Sequence, residues 1–145
     1  VCSSDLTDTF TKTCVAGDIM LSMARNKGIV GFVTDGLMRD IDGIIPVGIP
    51  TFCMGITPNS CTRNGPGTAG LPVVMGGTCV DSGEIAVADR DGVVVIPRDQ
   101  IEAVCQKLPA VRQAEEDLTR SVRLGQDSID AVRDLLNSDR TEYVD

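Results

Sequence analysis

The chain has 145 residues, a formal net charge of −8 and a pI of about 4.4, and it has no basic patch. That acidity opposes direct binding to nucleic acid or to an anionic membrane, because neither would be attracted. It is 42% hydrophobic but only 3% aromatic and has no histidine, so a single core must be built from Val, Ile, Leu, Met, Ala and Cys. The missing histidine also removes His-containing zinc sites, Ser-His and Cys-His nucleophile systems and any imidazole acid or base.

The first six residues, Val1 to Leu6, read as a non-native scar to be left out of the fold, with one domain expected over residues 7–145. No run is apolar and long enough to span a bilayer and no signal-peptide pattern opens the chain, so a cytoplasmic location is expected. The six cysteines (2, 14, 53, 61, 79, 105) show no paired motif and mostly lie in apolar stretches, which fits free thiols.

Asp18 precedes a short apolar-periodic run (Ile19, Met20, Leu21, Met23, Ala24) that stops at Gly28. The pattern predicts a two-turn helix with Asp18 as N-cap and a glycine beyond its C-terminus. Ile29 to Thr34 is an apolar run too short for a helix and predicts a buried parallel strand, opening at its C-terminal end into Asp35-Gly36-Leu37-Met38-Arg39-Asp40. Ligands bind at that end of open α/β sheets. Asp40 is a hard oxygen donor suited to magnesium or manganese, and Arg39 is a planar fork suited to a carboxylate. Asp18 borders the Ile19 and Met20 amides, which can hold an anion. Each also has an ordinary reading, Asp18 as a helix cap and Arg39-Asp40 as a solvated or ion-paired loop.

Ile49 to Met54 predicts a short strand with Pro50 near its start. The polar loop that follows contains Gly65-Pro66-Gly67-Thr68-Ala69-Gly70, which formally satisfies a G-x-G-x-x-G fingerprint. Pro72 obstructs the helix such a fingerprint needs and no strand directly precedes it, so nucleotide binding is rejected. Val73–Met75, Thr78–Val80, Glu84–Ala88 and Val93–Ile96 are β-prone runs separated by Gly and Asp turn signals, and predict antiparallel hairpins. Asp89-Arg90-Asp91-Gly92 lacks the spacing of a calcium loop and reads as a turn. From Arg98 onward the chain is helical: Pro109 is expected to break or kink the run, Gly125 to end it, and Ser128 to cap a last helix over Ile129–Leu136. A polar tail with Tyr143 follows. No internal repeat is visible.

Asp18, twenty intervening residues and Arg39-Asp40 resemble the D-x20-R-D signature of the family containing 4-hydroxy-4-methyl-2-oxoglutarate aldolase and the regulator of ribonuclease activity A. Further matches keep the family's order: Thr34-Asp35-Gly36, Gly48-Ile49-Pro50, Thr57-Pro58-Asn59, Arg63-Asn64-Gly65-Pro66-Gly67-Thr68, Gly76-Gly77 and Ala88-Asp89-Arg90-Asp91-Gly92-Val93. The likeness runs from about Gly17 to Pro97. Glu84 stands where many relatives have Asp, and relatives usually carry further strands and helices before the position of Asp18, so the chain reads as N-terminally truncated.

The resemblance implies an α/β fold, a β/β/α layered domain of the swivelling type with C-terminal helices, assembled as a trimer or hexamer with active sites at subunit interfaces. It implies a metal-dependent (class II) aldolase that cleaves 4-hydroxy-4-methyl-2-oxoglutarate, or a related 2-oxo-4-hydroxy acid, to pyruvate. Oxaloacetate decarboxylation is its natural side activity. Asp40 would hold Mg²⁺ or Mn²⁺, Arg39 would stand beside the developing enolate oxygen, and Asp18 would orient a metal-associated water for proton transfer. Gly17 with the Ile19 and Met20 amides, and Arg39, would bind the substrate. A Schiff-base route lacks a lysine in the signature loop. Two other readings are a non-catalytic, protein-binding regulator of ribonuclease activity, against which Asp18 speaks, and a lyase of the same fold acting on another substrate.

Overall fold

The computed structural model describes residues 2–5, 12–62 and 67–142. The chain forms two compact units, Val1–Asp99 and Gln100–Asp145.

In the first unit the chain runs β1 (Cys2–Asp5), β2 (Cys14–Ala16), α1 (Asp18–Asn26), β3 (Gly31–Thr34), β4 (Leu37–Met38), α2 (Ile41–Val47), β5 (Thr51–Phe52) and β6 (Gly55–Ile56). Successive strands go alternately to two parallel three-stranded sheets, ordered β1-β3-β5 and β2-β4-β6. A strand-strand-helix unit therefore recurs along the chain although its sequence shows no repeat. This is the expected mixed α/β architecture. Cys2 to Asp5, left out of the fold in the sequence analysis, pair one for one with Gly31 to Thr34.

The core is aliphatic apart from Phe32, one of its largest fully buried side chains. Leu21 and Ala24 of α1, Phe32 of β3, Met38 of β4 and Ile44 and Val47 of α2 pack with Ala16 and Ile49. Leu21 and Met38 are fully buried, a gain of roughly 1.5–3 kcal/mol each over exposure. The predicted strand at Ile29–Thr34 is shorter, Gly31–Thr34, and buries alternate residues, Phe32 and Thr34, rather than a continuous run. Val30 is instead exposed. Ile29 belongs to the end of α1: its amide donates to Ala24 O at 3.1 Å and that of Gly28 to Arg25 O at 2.8 Å, a Schellman closure that places Gly28 at φ 81°.

Besides β1, four elements were missed. β2 has three residues and β4 and β6 two each, too short to show alternation. α2 was hidden by Pro46, which sits in its last turn and removes one internal hydrogen bond at the exposed face of a seven-residue helix.

Downstream, β7 (Val73–Met75) and β8 (Thr78–Val80) form the expected hairpin, closed by Gly76 and Gly77, both at positive φ as a type I′ turn requires. β9 (Ile85–Ala88) and β10 (Val93–Ile96) form the second. The acidic loop between them is a turn, with the Asp91 amide donating to Asp89 Oδ1 at 2.8 Å. Of the G-x-G-x-x-G segment, Gly65 and Pro66 lie outside the described residues; after Gly70 the chain enters β7, not a helix.

The second unit holds α3 (Ile101–Arg123) and α4 (Asp130–Leu136). α3 runs through Pro109 without the expected break, since Cys105, whose carbonyl loses its partner, is exposed to water. Gly125, at φ 103°, ends it as expected. Ser128 is not the cap of α4: Ile129 occupies that position, and the Ser128 carbonyl accepts from Gln126 and Arg133. Tyr143 lies outside the described residues. Cys14, Cys53, Cys61, Cys79 and Cys105 are free thiols, but the last three are exposed rather than buried in apolar surroundings.

Candidate functional site

β2 and β4 are parallel neighbours, with Ala16 opposite Met38. Gly17-Asp18 therefore leaves the C-terminal end of one strand beside Arg39-Asp40 leaving the other, and the Arg39 amide extends the ladder to Ala16 O at 3.1 Å. This explains the twenty-residue spacing, which is filled by one helix, one strand of the other sheet, β4 itself and their connections. It also puts the signature where parallel sheets bind ligands.

Asp40 is the N-cap residue of α2 and the only non-glycine residue at positive φ among those described, at φ 61° and ψ 44°. A left-handed aspartate costs on the order of 1 kcal/mol. Its carbonyl repays part of this by accepting from Gly43 and Ile44, each at 2.9 Å. Its carboxylate makes no capping bond. Oδ2 lies instead 3.0 Å from Arg39 Nε, in an ion pair whose N–H is not aligned for a hydrogen bond. Arg39 Nη1 donates to Ser60 Oγ, so the guanidinium is tied to the loop after β6. Both side chains stay partly open, 31% exposed for Arg39 and 44% for Asp40. Gly17 makes room for them: a Cβ there would fall on the Asp40 carboxylate and lie 3.2 Å from Arg39 Cγ.

Asp18 is the first residue of α1 rather than its cap. Gly17 holds the cap position, and Asp18 Oδ1 accepts from the Ile19 amide at 2.7 Å. Leu21 N, which donates to Gly17 O, makes the first intrahelical bond, so the Asp18, Ile19 and Met20 amides have no intrahelical acceptor. The Ile19 side chain is 71% exposed, whereas Met20 packs against the core. The structure thus brings Gly17, Asp18, Ile19, Met20, Arg39 and Asp40 to one end of adjoining strands.

Two neighbours escaped the sequence reading. Ser60 directly follows the Thr57-Pro58-Asn59 match and carries no signal of its own. Gly43 carries no signal of its own either, and it lies inside α2 against Asp18.

The site offers two carboxylates as possible ligands, with a guanidinium beside one of them. Among the described residues no cluster of three or more His, Cys, Asp or Glu side chains forms a metal cage. One or two carboxylates with water and substrate oxygens completing the shell are, however, what magnesium usually takes, so these residues fit such an ion. Among the described residues no helix is long and apolar enough to cross a membrane.

The sequence profile of the RraA-like family, Aldolase/RraA, matches residues 4–95. A Halalkalibacterium halodurans protein named "Putative 4-hydroxy-4-methyl-2-oxoglutarate aldolase" is 38% identical over 119 residues, covering 82% of this chain and 55% of that protein. The chain thus spans about half the length of that relative. An uncharacterized Pseudomonas syringae protein of known structure aligns with TM-score 0.77 and 30% identity over 86% of this chain and 63% of its own. Streptomyces coelicolor RraAS2, described as an unusual member of the RNase ES inhibitor RraA protein family, aligns with TM-score 0.75 and 28% identity over 83% of this chain and 62% of its own. With the signature residues gathered at one strand end, the profile match over most of its length and these relatives, the chain belongs to the RraA-like family.

Proposed function

We propose that the site is that of a divalent-metal-dependent pyruvate aldolase, a carbon–carbon lyase acting on 4-hydroxy-4-methyl-2-oxoglutarate or a related 2-oxo-4-hydroxy acid. The observation that carries this reading is the Arg39–Asp40 pair. Asp40 is held in a strained backbone conformation with its carboxylate withdrawn from capping and left partly open beside a guanidinium, at the strand end that also carries Asp18.

Asp40 would hold Mg²⁺ or Mn²⁺, directly or with waters, and the ion when bound supplies Lewis-acid polarisation of the 2-oxo acid. Asp18, through a water, takes the proton of the C4 hydroxyl. The C3–C4 electron pair then moves into the C2–C3 bond as the C4 carbonyl forms, and negative charge grows on the C2 oxygen. Arg39 stands by that oxygen, kept in place by Ser60. A proton delivered to C3 completes pyruvate, and with the 4-methyl substrate the other fragment is pyruvate as well. The Met20 amide is available to the substrate carboxylate; that of Ile19 becomes so when Asp18 Oδ1 turns away. Oxaloacetate decarboxylation develops charge on the same oxygen. Lys27 caps the opposite end of α1 and Lys12 precedes β2, whose other end carries the site, which supports the metal route over a Schiff base.

Ile19 and Met23 of α1 and Ile41 and Ile45 of α2 are exposed, Ile19 and Ile45 by 71% and 70%. Apolar side chains flanking a site in this way support a homo-oligomer with the site at its interface; a trimer or hexamer is what the family resemblance implies.

The test is pyruvate release from 4-hydroxy-4-methyl-2-oxoglutarate and from oxaloacetate with and without magnesium, in the native protein and Asp40→Ala. Magnesium-dependent release lost in the variant supports the reading. Release from a different 2-oxo acid alone assigns another lyase substrate. A folded, assembled protein that releases none from either compound at any magnesium concentration rules out this aldolase and leaves a lyase with a different substrate or the regulator reading that RraAS2 suggests.

A further inference from the structure

We infer that Gly43 is a positioning residue: its bare α-carbon is the seat of the Asp18 side chain, and it couples the two site carboxylates. Its functional half rests on the lyase reading; its structural half does not.

Gly43 lies inside α2, where its backbone is not at positive φ. Alanine would be conformationally acceptable there and is normally the better helix residue. Glycine is the less favourable choice for the helix, so the reason for it lies in its surroundings. A methyl built at position 43 falls on Asp18 Oδ2 and comes within 2.8 Å of both Asp18 Cβ and Cγ, far inside the ~3.5–4 Å of normal carbon contact. Rotating Asp18 could clear the oxygen but not Cβ, whose place is set by the α1 backbone. An alanine at 43 must therefore push α1 and α2 apart where they bear Asp18 and Asp40. Gly43 touches both residues, since its amide donates to Asp40 O at 2.9 Å while its α-carbon faces the Asp18 carboxylate. The relation is reciprocal, because Gly17 beside Asp18 gives the same room to Asp40.

The experiment is a stability cycle and an activity cycle on the full chain. Gly43→Ala is expected to lower the melting midpoint in the native background and to raise it, or leave it unchanged, in Asp18→Gly, where the opposing Cβ is gone. Gly67→Ala, whose added methyl meets nothing within 4 Å, is the control and leaves it unchanged. Equal shifts from Gly43→Ala in the two backgrounds overturn the seat. In the activity cycle Gly43→Ala is expected to lower kcat for pyruvate release at saturating magnesium at least tenfold, and to add less than twofold to the loss in Asp18→Asn. A full further loss in Asp18→Asn, or an unchanged kcat in Gly43→Ala alone, overturns the positioning role. A native protein that releases no pyruvate counts against the lyase reading, while the stability cycle still decides the seat.

Discussion

At the scale of single residues, Asp40 combines a conformational cost with a chemical role, and substitutions can separate the two. Its left-handed backbone is tolerated by glycine and asparagine but not by alanine. Asp40→Ala should lose about 1 kcal/mol of stability, Asp40→Asn about none, and Asp40→Gly should hold or gain a few tenths. The ion pair to Arg39 is partly exposed and changes this order little. Pyruvate release should fall at least about a hundredfold in all three, because only aspartate offers a carboxylate. Thermal melts beside assays check it; equal stability of the alanine and asparagine variants would remove the strain argument. Asp18 and Arg39-Asp40 were legible from residue type and order, but Ser60 was not, because only the fold carries the β6 loop to the guanidinium.

At the scale of elements, burial separates α1 from α3. Leu21 is 0% exposed and Leu118 is 42% exposed. Leu21→Ala should cost about 2–5 kcal/mol and Leu118→Ala under about 1, as read from denaturant midpoints. A comparable cost at Leu118 would mean that α3 is covered by another subunit. The long periodic helix, the glycine stops at Gly28 and Gly125 and the Gly76-Gly77 hairpin were legible because their signals are local. β4, β6 and α2 were not, because elements of two residues, or of seven with a proline, form no recognisable period and are held by their neighbours.

At the scale of the whole molecule, a net charge of −8 draws divalent cations diffusely, so weak magnesium binding alone proves little. Specific binding at the site should raise the melting midpoint in magnesium above that in a chelator, by an amount absent in Asp40→Asn. An equal rise in both would assign the binding to the diffuse field. The same charge predicts no retardation of RNA by this chain at about 0.15 M salt. A clear shift in a native gel would show that a local feature overrides the overall field.

Composition, the absence of histidine and the order of turn and signature residues determined the fold class, the family and the chemical character of the site. These properties depend on which residues are present and in what local order. Tertiary structure decided the rest. The alternation of strands between two sheets makes β2 and β4 neighbours, so that Asp18 and Asp40 come to one strand end, where Gly43 makes room for the first and Gly17 for the second. Such contacts join residues distant along the chain, and no local periodicity encodes them.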